Sequence, residues 1–129
     1  MYPDELRYTE KHVWVRLEAK EATCGLSMYA ESEMGDIVFL DLPEEGTALE
    51  KGDVFGSVES AKAVEDLFAP ISGEVVRVNT DLVDAPEAIN EDPYGEGWMV
   101  VLKIEDESEL DDLMSAEAYE ELLSDLQES

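Results

Sequence analysis

Basic residues are scarce in this chain: 8 Lys and Arg stand against 34 Asp and Glu among 129 residues, a formal charge of −26. Nucleic-acid binding is excluded on that ground, because a phosphate backbone is held by a Lys/Arg patch that this sequence cannot assemble. Anionic membrane surfaces are excluded for the same reason. Cysteine and histidine occur once each, as Cys24 and His12. An internal disulfide and a Cys-based zinc site are therefore out of reach. A Cys–His pair needs those two lone residues to converge, and no Gly-x-Ser-x-Gly elbow offers a serine nucleophile. Carboxylates are so abundant that any acid–base pair drawn from them carries no information. No apolar run approaches the ~18 residues of a membrane span. The start, Met1-Tyr2-Pro3-Asp4-Glu5, has neither the apolar stretch of a signal peptide nor the arginines of a transit peptide. The expectation is a soluble cytoplasmic protein, non-enzymatic, with no catalytic residues and no metal site. With only 5 prolines and 44% hydrophobic residues, it reads as one folded domain over residues 1–129.

The acids are unevenly spread. Residues 1–64 hold 14 acids and 6 bases, and residues 65–129 hold 20 acids and 2 bases, which is −8 against −18. A partner with a basic surface would be steered by such a field. A solvated acidic face, generic or suited to a salty cytoplasm, accounts for it more simply.

Short alternating or apolar runs bounded by Gly and Pro mark strands at Val13–Leu17, Ala22–Leu26, Ile37–Leu42, Val54–Val58, Val64–Phe68, Val75–Val78 and Met99–Ile104. Many short strands of this kind predict a mainly β sandwich or flattened barrel. Ser27 is placed to cap a short helix through Met34, with Gly35 at its end. Ser108 resembles the cap of a brief turn. In Ala116–Leu126, Tyr119, Leu122, Leu123 and Leu126 form one apolar stripe, predicting a C-terminal helix docked on the β body. Leu42–Gly46 and Ala69–Gly73 share Pro-x-x-Gly, a faint sign of two related hairpin halves. Asn90–Gly95 lacks the alternating ligands of a calcium loop and reads as a turn. Gly95-Glu96-Gly97 lacks the third glycine of a dinucleotide fingerprint.

The informative segment is Gly56–Phe68. Two strand-like runs flank a small polar tip whose one base is Lys62, and small neighbours Ser60, Ala61 and Ala63 leave its ε-amine sterically open to acylation. On spacing alone, Lys62 reads first as an ordinary surface lysine paired with Glu59 or Glu65.

The tip Glu59-Ser60-Ala61-Lys62-Ala63 is similar to the lipoylation motif of the glycine cleavage system H-protein family, usually Glu-Ser-Val-Lys-Ala. In the same order as in that family stand Tyr8–Val15, Gly35–Pro43, Ala69–Val75, Asn90–Trp98 and Leu110–Tyr119. The resemblance covers nearly the whole chain. It implies a flattened barrel-sandwich hybrid with a carrier hairpin at about 54–68, a short helix in the N-terminal half and a C-terminal helical segment at about 108–127. It implies a non-catalytic carrier with one lipoate bound covalently to Lys62, attached by a lipoate ligase or lipoyl transferase that reads Glu59, Ala61 and Ala63. Glycine decarboxylase (P protein) would load an aminomethyl group on the arm, aminomethyltransferase (T protein) would unload it onto tetrahydrofolate, and dihydrolipoyl dehydrogenase (L protein) would reoxidise it. His12, Val13 and Asp66 would line a cleft for the loaded arm. Val13 departs from the family's usual His-Glu-Trp, replacing a cleft carboxylate. Lipoate-binding relatives that serve in lipoyl relay or sulfur oxidation stand as the alternative, and some of them also carry His-Val-Trp. A biotin carrier would place Met on both sides of the lysine, where this chain has Ala61 and Ala63. An unmodified acidic protein-binding module is a third class.

Overall fold

Strand β2 (Val13–Glu18) shows how alternation divides the molecule: Val13 and Val15 point into one apolar core, and Trp14 points into another. The computed structural model describes the backbone of residues 3–128 and the side chains of residues 3–126. In chain order the elements are β1 (Arg7–Tyr8), β2, β3 (Glu21–Leu26), α1 (Met28–Met34), β4 (Ile37–Asp41), β5 (Ala48–Leu49), β6 (Val54–Ser60), β7 (Val64–Phe68), β8 (Gly73–Val78), α2 (Thr80–Asp84), α3 (Ala88–Glu91), β9 (Trp98–Ile104), a 3-10 segment (Glu107–Asp112) and α4 (Ala116–Glu128). The strands form an antiparallel six-stranded sheet, β1-β2-β3-β9-β8-β5, and an antiparallel three-stranded sheet, β4-β6-β7. Neither closes on itself, so the result is the expected mainly β flattened barrel-sandwich.

Side chains from the facing sides of both sheets make the larger core: Val15, Cys24, Leu40, Val58, Leu67, Val75 and Leu102 are among its most buried members. Cys24 lies there without access to solvent, and burial pushes its thiol well above the ordinary range. It behaves as a small hydrophobe. On the far side of the larger sheet, Leu6, Tyr8 and Trp14 pack against Ala116, Tyr119 and Leu123 of α4. Tyr8 and Tyr119 stack with centroids 4.7 Å apart. Both Pro-x-x-Gly segments mark the same event. Pro43–Gly46 carries the chain from β4 to β5 and Pro70–Gly73 from β7 to β8, each a crossing from the small sheet to the large one, and β5 then pairs with β8.

The segment at 108–127 is two pieces, in keeping with a brief turn near Ser108 and a separate helix from Ala116, because Met114 leaves the helical path to form an antiparallel bridge with Tyr8. Two other expectations are corrected here. Asp106, not Ser108, caps the first piece, its carboxylate accepting the Ser108 N–H at 3.0 Å. The apolar stripe of α4 docks only in part: Tyr119 and Leu123 are buried, whereas Leu126 is 45% exposed. Between β8 and β9 the chain forms two short helices, α2 and α3, that hydrophobic periodicity did not mark. Four and five residues are too few for a 3.6-residue period to register.

Gly25 is fixed by packing. It lies opposite Trp14 in the β2–β3 register, and a Cβ there would sit 2.7 Å from the indole ring. Gly25→Ala is expected to cost about 1–3 kcal/mol through overpacking, read as a lower urea midpoint at unchanged m-value. An unchanged midpoint would contradict the contact.

Candidate functional site

The β6–β7 hairpin turns in the fewest residues its sequence allows. The Ser60 N–H donates to the Ala63 carbonyl at 2.8 Å, closing a loop of Ala61 and Lys62. The buried Ser60 hydroxyl oxygen accepts the N–H groups of Lys62 (3.3 Å) and Ala63 (3.2 Å). Ser60 thus holds the tip from inside, as serine does in turns. Ala63 packs partly against the core, while Glu59, Ala61 and Lys62 are exposed. Among the described residues Lys62 is in no ion pair, so the pairing with Glu59 or Glu65 does not form.

Lys62 leans over the C-terminal end of α1. Gly35, which ends that helix at φ +82°, would bring a Cβ to 3.5 Å from Lys62 Cε. Glycine suits both the left-handed backbone and the lysine stem crossing it. The ledge is held by Asn90 of α3. Its Oδ1 accepts the Ile37 N–H at 2.8 Å, and its Nδ2 donates to the Gly35 carbonyl at 2.9 Å and to Glu31 Oε1 at 3.3 Å. Burial raises the Glu31 carboxyl, and the hydrogen bonds from Asn90 and Ser32 oppose the rise.

Beside this ledge is a cleft of about 380 Å³. The Thr9–His12 turn supplies Glu10, Lys11 and His12, α1 supplies Tyr29, Ala30, Glu33 and Met34, and β7 supplies Glu65, Asp66 and Phe68, with Leu26 from the end of β3. Four carboxylates therefore surround an apolar lining. Lys11 is the one lysine among the lining residues, and its ammonium lies 5.5 Å from the centre of the Phe68 ring. The balance favours a guest that is part apolar and part cationic.

His12 sits at φ +70°. Its Nδ1 is 2.7 Å from the Tyr119 hydroxyl, which is also 2.7 Å from Ser27 Oγ. Ser27 Oγ caps α1 by accepting the Ala30 N–H at 3.4 Å. Ser27, Tyr119 and His12 thus form one hydrogen-bonded chain from the start of α1 to the imidazole. Burial, and the adjacent Lys11, lower His12 below its ordinary value, while Glu65 acts in the opposite sense.

The structure brings His12 and Asp66 together in the cleft lining, while Lys62 lies outside it, over Gly35. Val13 does not join them: the side chain is 1% exposed and packs in the larger core, cross-strand from Leu26 and behind the cleft lining. The pleat sends residues 12 and 13 in different directions once His12 has turned the chain. Glu10, Glu33 and Glu65 were not anticipated as cleft residues. Glu33 had a legible signal, since Tyr29, Ala30, Glu33 and Met34 fall on one side of a capped helix. Glu10 had none, because its placement depends on a turn with left-handed backbone. No group of three or more His, Cys, Asp or Glu among the described residues is arranged to hold a metal ion. No helix among them is long and apolar enough to cross a membrane.

A family model described as glycine cleavage H-protein matches residues 6–126. The glycine cleavage system H protein of Synechococcus sp. (strain JA-3-3Ab) is 55% identical over 122 residues, covering 95% of both chains. The probable glycine cleavage system H protein of Haloarcula marismortui is 53% identical over 117 residues, covering 91% of this chain and 92% of that protein. The crystal structure of a glycine cleavage system H protein from Mycobacterium marinum superposes with a TM-score of 0.82 at 36% identity, over 92% of this chain and 95% of that one.

The His12 environment predicts a pH dependence. The unfolded chain binds a proton near the ordinary value of about 6.5, whereas the folded imidazole resists it to lower pH. Stability is complete above that value and falls as pH drops below it. His12→Asn retains a residue that tolerates the left-handed backbone and removes the titration. Between about pH 7.5 and about pH 5 the melting temperature of the wild type should fall relative to this variant. Parallel curves would contradict the assignment.

Proposed function

The chain belongs to the glycine cleavage H-protein family, and on that premise we propose that it is a non-catalytic lipoyl carrier modified at Lys62. The observation that carries this reading is the position of Lys62. It stands exposed on a two-residue tip tied by Ser60, free of any ion pair among the described residues, beside the acidic cleft. The residues fit such a group: the stem of Lys62 passes over a glycine, and the neighbouring cleft has an apolar lining and a carboxylate rim. Held by Lys62, lipoate would supply a disulfide able to accept the aminomethyl group of glycine from a pyridoxal-phosphate decarboxylase (P protein), to release it to a tetrahydrofolate-dependent aminomethyltransferase (T protein), and to be reoxidised by dihydrolipoyl dehydrogenase (L protein).

The chain's own residues do the rest. Lys62 anchors the group by an amide and so gives up its charge. The hairpin holds that anchor at one place, so that a tethered arm visits each partner at high effective concentration. Glu10, Glu33, Glu65 and Asp66 provide acceptors for a protonated amine, each charge-assisted contact being worth about 1.5–3 kcal/mol when shielded from water. Leu26, Met34 and Phe68 exclude water from that contact. His12, whose burial disfavours the protonated imidazolium, adds little positive charge to repel the amine. The missing carboxylate at position 13 opened the relay or sulfur-oxidation alternative. The three other glutamates around the cleft favour the glycine-cleavage reading, because they leave the site acidic without it.

Incubation with lipoate ligase, ATP and lipoate should add one lipoyl amide to the wild type and none to Lys62→Arg, read by intact mass. The lipoylated wild type should then support glycine-dependent carbon dioxide release by glycine decarboxylase. Modification of Lys11, Lys20, Lys51 or Lys103 in the variant would overturn the assignment. Lipoylation without decarboxylase activity would favour the relay alternative.

A further inference from the structure

The outward face of the three-stranded sheet carries apolar side chains beside the lysine tip. Phe39 of β4 pairs with Glu59 of β6, and Glu59 pairs with Val64 of β7, so the three side chains form one row across the sheet. Phe39 is 55% exposed and Val64 64% exposed, whereas Leu40 and Val58, pointing the other way, are buried. The next row on the same face is Asp41, Ser57 and Asp66. Two apolar groups therefore straddle one carboxylate, with two more carboxylates behind them and no base in either row. On a chain of charge −26, acidic side chains are in ample supply to cover such a spot, and an exposed apolar pair next to a reactive tip marks a contact surface.

The position of the row identifies what it contacts. Val64 follows Lys62 by two residues and Glu59 precedes it by three, and neighbouring strands are about 4.8 Å apart. An enzyme that acylates Lys62 must bring its acyl carbon to Nζ at the end of a four-carbon stem, so its surface closes over the tip. A footprint of about 800 Å² centred there covers the row. A partner that works on the finished arm reaches it at the end of a longer tether and is under no such constraint. We propose that the Phe39–Glu59–Val64 face is the docking surface for the lipoyl-transferring enzyme, which meets it with an apolar pocket ringed by Lys and Arg. This inference rests on the lipoyl-carrier reading. In the complex the Nζ lone pair forms the amide bond to the carbonyl carbon of a lipoyl-adenylate. The acyl C–O bond breaks with its electrons leaving on AMP, and the amine proton passes to solvent.

The test uses the full chain in its unmodified form with lipoate ligase, ATP and lipoate. The double variant Phe39→Thr/Val64→Thr places a residue of high strand propensity at both positions. It should lower kcat/KM for lipoylation about tenfold, mainly through KM. Val54→Thr, at the other end of β6 and 51% exposed, should leave it unchanged. Acetylation of Lys62 by a water-soluble succinimidyl ester, read by peptide mass, should proceed equally in all three proteins, showing that the tip itself is intact. Should the double variant fold poorly, Val64→Thr alone is expected to give part of the same loss. Added potassium chloride should raise the wild-type KM, and a KM that salt does not move would overturn the basic rim. An unchanged kcat/KM in a lipoylated double variant overturns the docking surface and leaves the carrier reading standing. So does a loss confined to the decarboxylase assay. A wild type that takes no lipoate at all overturns both.

Discussion

The carboxamide of Asn90 ties α3 to a stretch of chain 53 to 59 residues earlier. By accepting from Ile37 and donating to Gly35 and Glu31, it locks the end of α1 to the start of β4. Two of the supports of Lys62 depend on that lock. Gly35 is the ledge beneath the lysine stem, and β4 is hydrogen-bonded to β6, which carries the tip. The other end of α1 is held by Ser27, whose hydroxyl both caps the helix and meets the Tyr119 hydroxyl from α4. The helix that lines the cleft is thus pinned at both ends, once through α3 and once through α4. Polar groups this buried stabilise only when all are satisfied, and among the described residues no buried side-chain polar atom lacks a partner.

Charge acts at two ranges. Over the whole surface, an excess of acids repels itself and selects partners by sign. It contributes little through pairing: the Lys51–Asp112 contact, at 2.7 Å between exposed side chains, is of the kind worth about 0–1 kcal/mol. Within the cleft the same residue type has a different effect. There, four exposed carboxylates stand around Leu26, Met34 and Phe68, so charge and apolar surface meet in one place. A composition that looks generic along the sequence becomes specific where it borders apolar side chains.

Much of the fold was legible in local pattern. Val13-Trp14-Val15 alternates because two cores lie on opposite sides of one strand, and Ser27 and Gly35 delimit α1 because a serine hydroxyl and a positive φ are what its two ends require. The tip was legible because Ser60, Ala61 and Ala63 leave only Lys62 with a long side chain. What escaped local pattern depended on distant partners. Asn90 read as a turn residue, yet its contacts lie 53 and 55 residues away in Ile37 and Gly35. Val13 was assigned to the cleft by position in a motif, whereas the turn at His12 directs it into the core. Leu126 fits the helical stripe but lies beyond the apolar surface offered by Tyr8 and Trp14, so periodicity overstated the docked length. The cleft itself is made by three segments that no stretch of sequence shows together.

The central claim is that a lysine on a rigid tip serves the acidic cleft beside α1. The direct measurement is the backbone amide NMR spectrum of the lipoylated protein, recorded before and after the arm is loaded using glycine and glycine decarboxylase. The account predicts shift changes concentrated at His12, at Ala30 and Glu33 of α1 and at Glu65 and Asp66 of β7, with β8 and β9 unmoved. Changes confined to Ser60–Ala63 would mean that the loaded arm stays in solvent, and would contradict it.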